Sequence, residues 1–286
     1  MNASTLDRTV MCPMCHQTGG LPSPAMDRFE MRSCPACGGR WAVCTPDAIP
    51  DYDAAYRSER RVYRRYEAER RHVQTGGEPP IYWFQRRQLE RIRPFGERRL
   101  LEIGCGVGTF LLAARRAGWD AVGLEVSSRI AGLATQLSGC RVHIGDVGSL
   151  ATPLEGFEVI SAFEVLEHLF DPFDQVRQIA AALRPGGYLT LSVPNDRSPY
   201  VRNPADPEGR PPYHINYFQR RTIVTCLEKA GLQPVWVYEK PFAWSEAHPS
   251  VWRRWVMLPW LVFAGYALGR KGSRLVAWAR KPGGAC

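Results

Sequence analysis

The chain has 286 residues and a net charge of +9, with 45% hydrophobic and 23% charged residues. This composition excludes an intrinsically disordered chain, and no run reaches the roughly 18 apolar residues that a membrane-spanning helix needs. The basic excess leaves anionic partners open, which include nucleotides, phosphates and a membrane surface.

The start of the chain carries two Cys-x2-Cys pairs, formed by Cys12, Cys15, Cys34 and Cys37. Four thiolates at this spacing can close a tetrahedral zinc site, and the filled coordination makes such a site structural rather than catalytic. The segment has little apolar core of its own, so the metal would supply its folding energy. We therefore predict a structural zinc ribbon over residues 1–46, with a set of free thiols as the alternative.

The next segment, residues 47–95, is predicted to be a helical linker that ends by covering the functional site. Residues 57–71 are rich in arginine, and Tyr63 and Tyr66 are interleaved with the charges. Arginine beside aromatic rings can grip RNA through phosphates and stacking. An amphipathic surface helix with Glu–Arg pairs four residues apart explains the same pattern. Both interpretations stay open at this point.

Residues 96–196 alternate apolar strands with helical patterns. The predicted strands are "RRLLEIG", "DAVGLEV", "CRVHIGD", "FEVISAFEV" and "YLTLSVPN", and "PVWVYEK" and "SRLVAWARK" add two more near the end of the chain. Strand–helix alternation at this spacing is typical of a parallel, doubly wound sheet. We therefore predict an α/β domain with seven strands.

The first of these strands ends in a glycine loop, "GCGVG", with Gly104, Gly106 and Gly108 at alternate positions. Such a loop lets a ligand approach the backbone, and the following helix offers free N–H groups. The acid Glu102 lies two residues before the loop, where a carboxylate would repel a pyrophosphate but suit an ammonium group. This arrangement indicates a ligand with a positive end and no phosphate.

"LLEIGCGVGTFL" closely resembles motif I of the class I S-adenosylmethionine-dependent methyltransferases. Four later stretches resemble further motifs of that family in the right order, namely "GLEVS", "GDVGSL", "FEVLEHLFDP" and "LRPGGYLTLSVPN". The resemblance covers residues 81–240. It implies a Rossmann-like, seven-stranded class I methyltransferase sheet and S-adenosylmethionine as the cofactor.

The resemblance also implies which residues bind the cofactor. It assigns Glu125 to both ribose hydroxyls, which one carboxylate can accept at once, and Asp146 to the adenine amino group. It assigns Arg86 or Arg87 to the methionine carboxylate. A turn role for Asp146 and a solvated basic face for the arginines remain alternatives. The implied set is Glu102, Gly104, Cys105, Gly106, Gly108, Glu125, Val126, Asp146, Val147, Glu164 and Arg87.

A hydroxyl acceptor gains from a base that removes its proton, and the candidate catalytic residues are His214, His168, Glu164 and Glu167. If "EVLEH" forms a helix, Glu164, Glu167 and His168 lie on one face of it. Similarity to ubiquinone-pathway O-methyltransferases implies a second, divalent metal at this motif. In the alternative without a metal, the acid of this motif lies near the cofactor and the histidine has a structural role in packing or capping. For His214, a general base and a structural histidine both stay open.

Two C-terminal stretches are predicted to shape the acceptor side: a lid loop over 197–213 and an aromatic insertion over 241–272. The apolar run Trp255–Leu268 is too short to span a membrane. An interfacial helix over 252–271 that gives peripheral membrane contact, a substrate lid, a homodimer face and simple packing remain alternatives. The first residues lack a signal-peptide core, so we expect a cytoplasmic protein, with contact to the inner membrane face left open.

Together these features predict a zinc ribbon over 1–46, a linker over 47–95 and a methyltransferase domain over 96–286. The predicted function is S-adenosylmethionine-dependent O-methylation of a small-molecule acceptor, such as a natural product, a sugar or a lipid-like compound. An RNA methyltransferase is the first alternative, because a second family also joins a zinc module to this fold. A cofactor-binding scaffold without activity is the other.

Overall fold

The computed structural model describes residues 6–55, 61–92, 96–148, 155–198, 201, 209–241 and 271–283. The strands are β1 Leu21–Met26, β2 Phe29–Ser33, β3 Arg40–Ala42, β4 Arg99–Ile103, β5 Asp120–Glu125, β6 Arg141–Ile144, β7 Phe157–Phe163, β8 Leu183–Pro194, β9 Asn216–Tyr217, β10 Gln233–Pro241 and β11 Lys271–Arg280. The α-helices are α1 Tyr52–Ala55, α2 Arg61–Gln74, α3 Trp83–Arg91, α4 Thr109–Arg116, α5 Ser128–Ser138, α6 Pro172–Ala182 and α7 Arg220–Lys229. Short 3₁₀ helices span Pro46–Ala48 and Leu166–His168.

Seven strands form one sheet in the order β10-β11-β8-β7-β4-β5-β6. Strands β4 to β8 run parallel, whereas β11 is antiparallel to both β8 and β10. Strands β4 and β7 are almost wholly buried, as expected where helices cover both faces of a parallel sheet. The prediction of a Rossmann-like α/β sheet with seven strands is confirmed.

The helices pack on the sheet in separate hydrophobic clusters. Val176 of α6 and Ile223 of α7 belong to one cluster, and Phe110 of α4 and Ala134 of α5 belong to another. The carboxyl ends of the parallel strands β4, β5, β6 and β7 meet at one edge of the sheet, where ligands bind in this class of fold. The glycine loop and the candidate acids that follow those strands therefore share one edge.

A second, four-stranded sheet has the order β1-β2-β3-β9. Its first three strands come from the cysteine-rich segment, but β9 comes from the region after the predicted lid loop. Strand β9 pairs antiparallel with β3, with Trp41 opposite Asn216 and Arg40 opposite Tyr217. The N-terminal segment therefore shares its sheet with the methyltransferase domain.

Most of the predicted lid loop 197–213 and nearly all of the aromatic insertion 241–272 lie outside the described residues. The predicted peripheral membrane contact over 252–271 falls in that part of the chain. Among the described residues, no helix combines the length and the apolar character that crossing a membrane requires.

Candidate cofactor and acceptor site

The glycine loop between β4 and α4 has a backbone that only glycine adopts readily. Gly104 has φ +66° and Gly108 has φ +81°. A Cβ atom on Gly108 would lie 3.0 Å from the backbone oxygen of Ala134, and one on Gly104 would lie 2.7 Å from Cγ2 of Val165. The loop is thus closely packed against α5 on one side and against the turn after β7 on the other.

Glu125 ends β5 and holds this loop through its carboxylate. The backbone N–H of Gly106 donates to Oε2 at 3.0 Å, and the N–H of Ser127 donates to Oε1 at 3.1 Å. The side chain is 4% exposed, and burial raises its pKa to about 7. Each carboxylate oxygen still has a second lone pair, so Glu125 can accept two further hydrogen bonds from a ligand diol.

Glu102 lies in the middle of the sheet edge, one strand away from Glu125. It is 4% exposed, and its Oε2 has no hydrogen-bond partner among the described residues. Burial, and then the charge of Glu125, raise its pKa well above the usual carboxyl value. A buried carboxylate oxygen that lacks a donor fits an ammonium group, and the two acids together fit the amino acid and ribose parts of S-adenosylmethionine.

Exposed apolar residues lie at the same edge of the sheet, beside Glu125. Val126 follows Glu125 and is 47% exposed, and Ile144 at the end of β6 is 58% exposed. Asp146 and Val147 follow two and three residues later, and Asp146 is exposed. Exposed apolar side chains beside a carboxylate provide a surface on which a purine face can lie.

Arg87 has a different neighbour from the one that the resemblance implied. Its guanidinium lies 5.2 Å from the ring centroid of Trp236, on the edge strand β10. Trp236 lies on β10, at the edge of the sheet, whereas the glycine loop follows β4 in its interior. A Trp ring binds a guanidinium through its π face, and the sequence pattern around Arg87 does not reveal that distant partner.

The linker contributes residues to the cofactor edge that the sequence analysis missed. Asp53 of α1 accepts hydrogen bonds from Oγ of Ser127 at 2.5 Å and of Ser128 at 3.0 Å, directly after Glu125. The hydroxyl of Tyr66 on α2 lies 3.0 Å from the place that a Cβ atom on Gly106 would occupy. Helix α2 therefore covers the loop and α1 covers the start of α5, and the only signal in the sequence was the interleaved tyrosines.

Ion pairs within α2 support the surface-helix interpretation of the basic linker. Arg65 pairs with Glu69 at 3.5 Å, four residues away, and Arg70 pairs with Glu67 at 2.9 Å, three residues away. Ion pairs at this spacing stabilise a helix through contacts between its own side chains. The prediction of an amphipathic helix is confirmed for Arg61–Gln74.

The "EVLEH" motif does not form one helical face, so that prediction is wrong. Glu164 has φ +56°, and the 3₁₀ helix begins only at Leu166. The Glu164 carboxylate accepts a hydrogen bond from Oγ of Ser192 at 2.7 Å and forms a bidentate pair with Arg274 at 3.1 and 3.2 Å. Arg274 on β11 thus binds the Glu164 carboxylate, whose charge still acts on the nearby Glu167 and His168.

Glu167, His168 and His214 do come together, and their ligand atoms lie within 4.8 Å of one another. The rings of His168 and His214 are 4.6 Å apart, and Nε2 of His168 is 4.0 Å from Oε1 of Glu167. Neither carboxylate oxygen of Glu167 has a hydrogen-bond partner among the described residues. Tyr52 adds an edge-on ring contact to His168, with centroids 6.0 Å apart.

The four N-terminal cysteines form a second cluster of candidate ligands, and all four are buried. Sγ of Cys12 lies 3.7 Å from Sγ of Cys37, and Sγ of Cys15 lies 3.7 Å from Sγ of Cys34. A tetrahedral zinc site with Zn–S bonds of about 2.3 Å has sulfur–sulfur edges of about 3.8 Å. The sulfur spacing is thus compatible with zinc and far too long for disulfide bonds.

The chain is similar to known methyltransferases. The ubiquinone biosynthesis O-methyltransferase of Bordetella avium is 31% identical over 158 residues, which are 48% of this chain and 63% of that protein. The chain therefore spans less than two thirds of that relative. A solved S-adenosylmethionine-dependent methyltransferase from Archaeoglobus fulgidus superposes with a TM-score of 0.54 at 19% identity and covers 73% of this chain and 97% of that chain.

A further solved structure is the complex between the Haloferax volcanii Trm112 methyltransferase activator and a methyltransferase. It matches with a TM-score of 0.55 at 16% identity and covers 81% of this chain and 98% of that chain. At these identities the structural matches show the shared fold. The fold and the relatives are those of class I S-adenosylmethionine-dependent methyltransferases. The chain belongs to the family described as Methyltransferase domain, whose model matches residues 62–237, more than half of its length.

Proposed function

We propose that the enzyme methylates a hydroxyl group on a small-molecule acceptor that enters beside His168 and His214. The observation that carries this proposal is the histidine pair, which lies next to the turn that contacts the glycine loop. Val165 of that turn packs against Gly104, three residues before His168. The side chain of His168 is 25% exposed, so an acceptor can reach it.

The hydrogen bond of His168 fixes which nitrogen can act as a base. Nδ1 of His168 lies 2.9 Å from the carbonyl oxygen of Tyr213. A carbonyl only accepts, so Nδ1 carries the proton and Nε2 keeps its lone pair. Burial lowers the pKa of His168, and burial together with His168 lowers the pKa of His214 well below its usual value. Both rings are therefore neutral near pH 7 and able to take a proton.

Bound S-adenosylmethionine supplies an electrophilic methyl group on a sulfonium centre, which an acceptor oxygen can attack in line. The residues of this chain then have two tasks. Glu102 and Glu125 hold the cofactor at the sheet edge, which fixes the direction of its methyl group. His214 removes the proton from the acceptor hydroxyl, which raises its nucleophilicity, and the ring of His168 lies against it with centroids 4.6 Å apart.

Glu167, His168 and His214 also fit a divalent metal, in place of the set that included Glu164. One carboxylate and two imidazoles are a suitable donor set, and the bond from His168 to Tyr213 would orient the ligand nitrogen. A metal there would bind the acceptor oxygen and lower its pKa. We propose this as the second candidate role for the same three residues.

The four cysteines are proposed to hold a structural zinc ion. The sulfur spacing and the burial of all four side chains support this proposal. With four thiolates the coordination is complete, so the ion would stabilise the fold and leave the reaction to the other site.

The acceptor class is tested by incubating the protein with methyl-labelled cofactor and separate fractions of small metabolites, lipids and RNA. We expect the label in the small-molecule or lipid fraction. Label in the RNA fraction would overturn the proposal in favour of an RNA methyltransferase. Cofactor binding without label in any fraction would indicate a scaffold. After dialysis against EDTA, which would also remove a structural zinc ion, re-addition of Zn²⁺ alone is compared with re-addition of Zn²⁺ and Mn²⁺ to decide whether a second metal takes part.

With the acceptor that takes up the methyl label, His214→Gln is expected to slow methyl transfer about a hundredfold at saturating cofactor, because the general base is lost. His72→Gln, an exposed histidine on α2, is the control and should leave the rate unchanged. Since burial lowers the pKa of both site histidines, the wild-type rate should stay constant on acidification to below the usual histidine range. A rate that His214→Gln leaves unaltered would contradict the proposed role.

A further inference from the structure

Arg8 is a buried arginine that joins three separate parts of the chain. Its side chain and backbone are 2% exposed. The guanidinium donates to the carbonyl oxygen of Ala42 on β3 at 3.1 Å and to that of Phe170. It also donates to the carbonyl oxygen of Ile215 at 3.1 Å and to Oδ1 of Asn216 at 2.9 Å. One planar side chain thus ties the cysteine-rich segment to both sides of the histidine pair.

Asn216 carries this connection into the turn that holds Glu167 and His168. Its Nδ2 donates to the carbonyl oxygens of Leu166 at 3.1 Å and Leu169 at 2.7 Å, which flank those two residues. The backbone N–H of Ile215 donates to the carbonyl oxygen of Glu167 at 2.9 Å. The 3₁₀ turn and the strand after His214 are therefore locked together by three hydrogen bonds.

The segments around the two Cys-x2-Cys pairs contact the same elements. The N–H of Phe173 donates to the carbonyl oxygen of Pro13, and His16 pairs with Asp171, which caps α6, at 2.9 Å. The N–H of Ala42 donates to the carbonyl oxygen of Ile215 at 2.9 Å and continues the β3–β9 pairing. These contacts place the ribbon directly behind the turn after β7.

The cofactor residues are held by other means. The carboxylate of Glu125 is bound by the backbone N–H groups of Gly106 and Ser127, and the loop packs on α5 through Gly108. The side-chain hydrogen bonds of Arg8 and Asn216 go to β3, to residues 166–170 and to residues 215–216. The two halves of the site touch where Val165 packs against Gly104, but none of the side-chain hydrogen bonds of Arg8 or Asn216 reaches the glycine loop.

We infer that Arg8 is a positioning residue for methyl transfer, which uses the cysteine ribbon to fix His168 and His214 relative to each other. The inference rests on the proposed function for what the histidines do. The network itself is testable before the acceptor is known, because hydrogen exchange reports on the turn and cofactor binding reports on the other half of the site.

The test compares Arg8→Met, Arg8→Lys and wild type by hydrogen exchange and by calorimetry with S-adenosylhomocysteine. In Arg8→Met we expect the amides of His168 and Ile215 to exchange roughly tenfold faster or more, since the turn opens locally. The affinity for S-adenosylhomocysteine should not change. With an acceptor that takes up the methyl label, the turnover number of Arg8→Met should fall while the KM for the cofactor stays constant. Arg8→Lys should recover part of the rate.

Lys229→Met is the matched control. Lys229 donates to the carbonyl oxygen of Cys15 at 2.6 Å, so this variant also removes a tie to the ribbon, but one that leads to α7. It should leave exchange in the 3₁₀ turn and turnover unchanged. If Arg8→Met fails to fold, Asn216→Asp decides, because it keeps the oxygen that Arg8 binds and loses the donor to Leu166 and Leu169.

The inference would be overturned if exchange at the amides of His168 and Ile215 did not change. It would also be overturned if the affinity for S-adenosylhomocysteine fell as much as the turnover number. So would faster exchange with unaltered turnover. A failure of the proposed function looks different: His214→Gln would then retain full activity, whereas the exchange result for Arg8→Met would stand.

Discussion

Replacing Cys15 with serine is expected to abolish zinc binding and to lower the melting temperature by roughly ten degrees or more. The variant loses one of the four buried sulfur atoms that are proposed to bind the ion, and three thiols then remain in a buried environment. The cluster also supports β3, whose partner β9 belongs to the methyltransferase domain. Native mass spectrometry gives the zinc content, and differential scanning calorimetry gives the melting temperature.

Cys44→Ser is the matched control, because Cys44 is a half-buried cysteine in the same segment that lies outside the cluster. It should keep one zinc ion per chain and a melting temperature close to that of wild type. Wild-type protein that contains no zinc, or a Cys15→Ser variant that binds it fully, would show that the four cysteines are free thiols.

Local patterns in the sequence determine the central sheet, which is why its strands could be predicted. A parallel strand buried on both faces must be a short apolar run, and the runs around Leu101 and Ile160 have few other interpretations. The glycine loop is equally local, because positive φ at Gly104 and Gly108 restricts those positions to glycine. Glu102 was singled out by its place before the loop, whereas Glu125 was assigned through the resemblance to the family.

Three features of the site depended on distant residues and could not be predicted. Glu164 leaves the expected helical face because Arg274, 110 residues later, binds its carboxylate. Arg87 meets Trp236, which no local pattern connects to it. The two-residue strand β9 is too short for any periodicity, and only the backbone pairing with β3 defines it.

The contacts of the helix α1, which lies over the sheet edge, could not be predicted from the local sequence either. Asp53 could be recognised as an exposed acid at the start of a helix, but its acceptor role toward Ser127 and Ser128 requires α1 to fold back over the sheet edge. This contact places Tyr52 between the cofactor acids and the histidines. The charges of Glu167 and Glu125 both contribute, after burial, to the raised pKa of its hydroxyl.

Replacing Glu125 with alanine is expected to weaken binding of S-adenosylhomocysteine by about two orders of magnitude or more. Two charge-assisted hydrogen bonds to the ribose contribute about 1.5–3 kcal/mol each, and about 1.4 kcal/mol corresponds to tenfold in affinity. The variant also releases the N–H groups of Gly106 and Ser127, which loosens the loop. Calorimetry measures the affinity, and Glu78→Ala, at an exposed acid, should have no effect.

The pH dependence of this affinity separates direct ribose binding from a general loss of structure. The pKa of Glu125 in the free enzyme is about 7, so near neutral pH part of the population is protonated. Hydroxyl donors favour the carboxylate, so binding releases a proton and the affinity should rise with pH through about 7 and then level off. Glu102 acts in the same direction, because burial also raises its pKa and an ammonium group favours its charged form. Glu125→Gln should therefore reduce the slope, and the double variant with Glu102→Gln should remove it. An affinity that does not vary with pH in wild type would mean that neither acid binds the nucleoside.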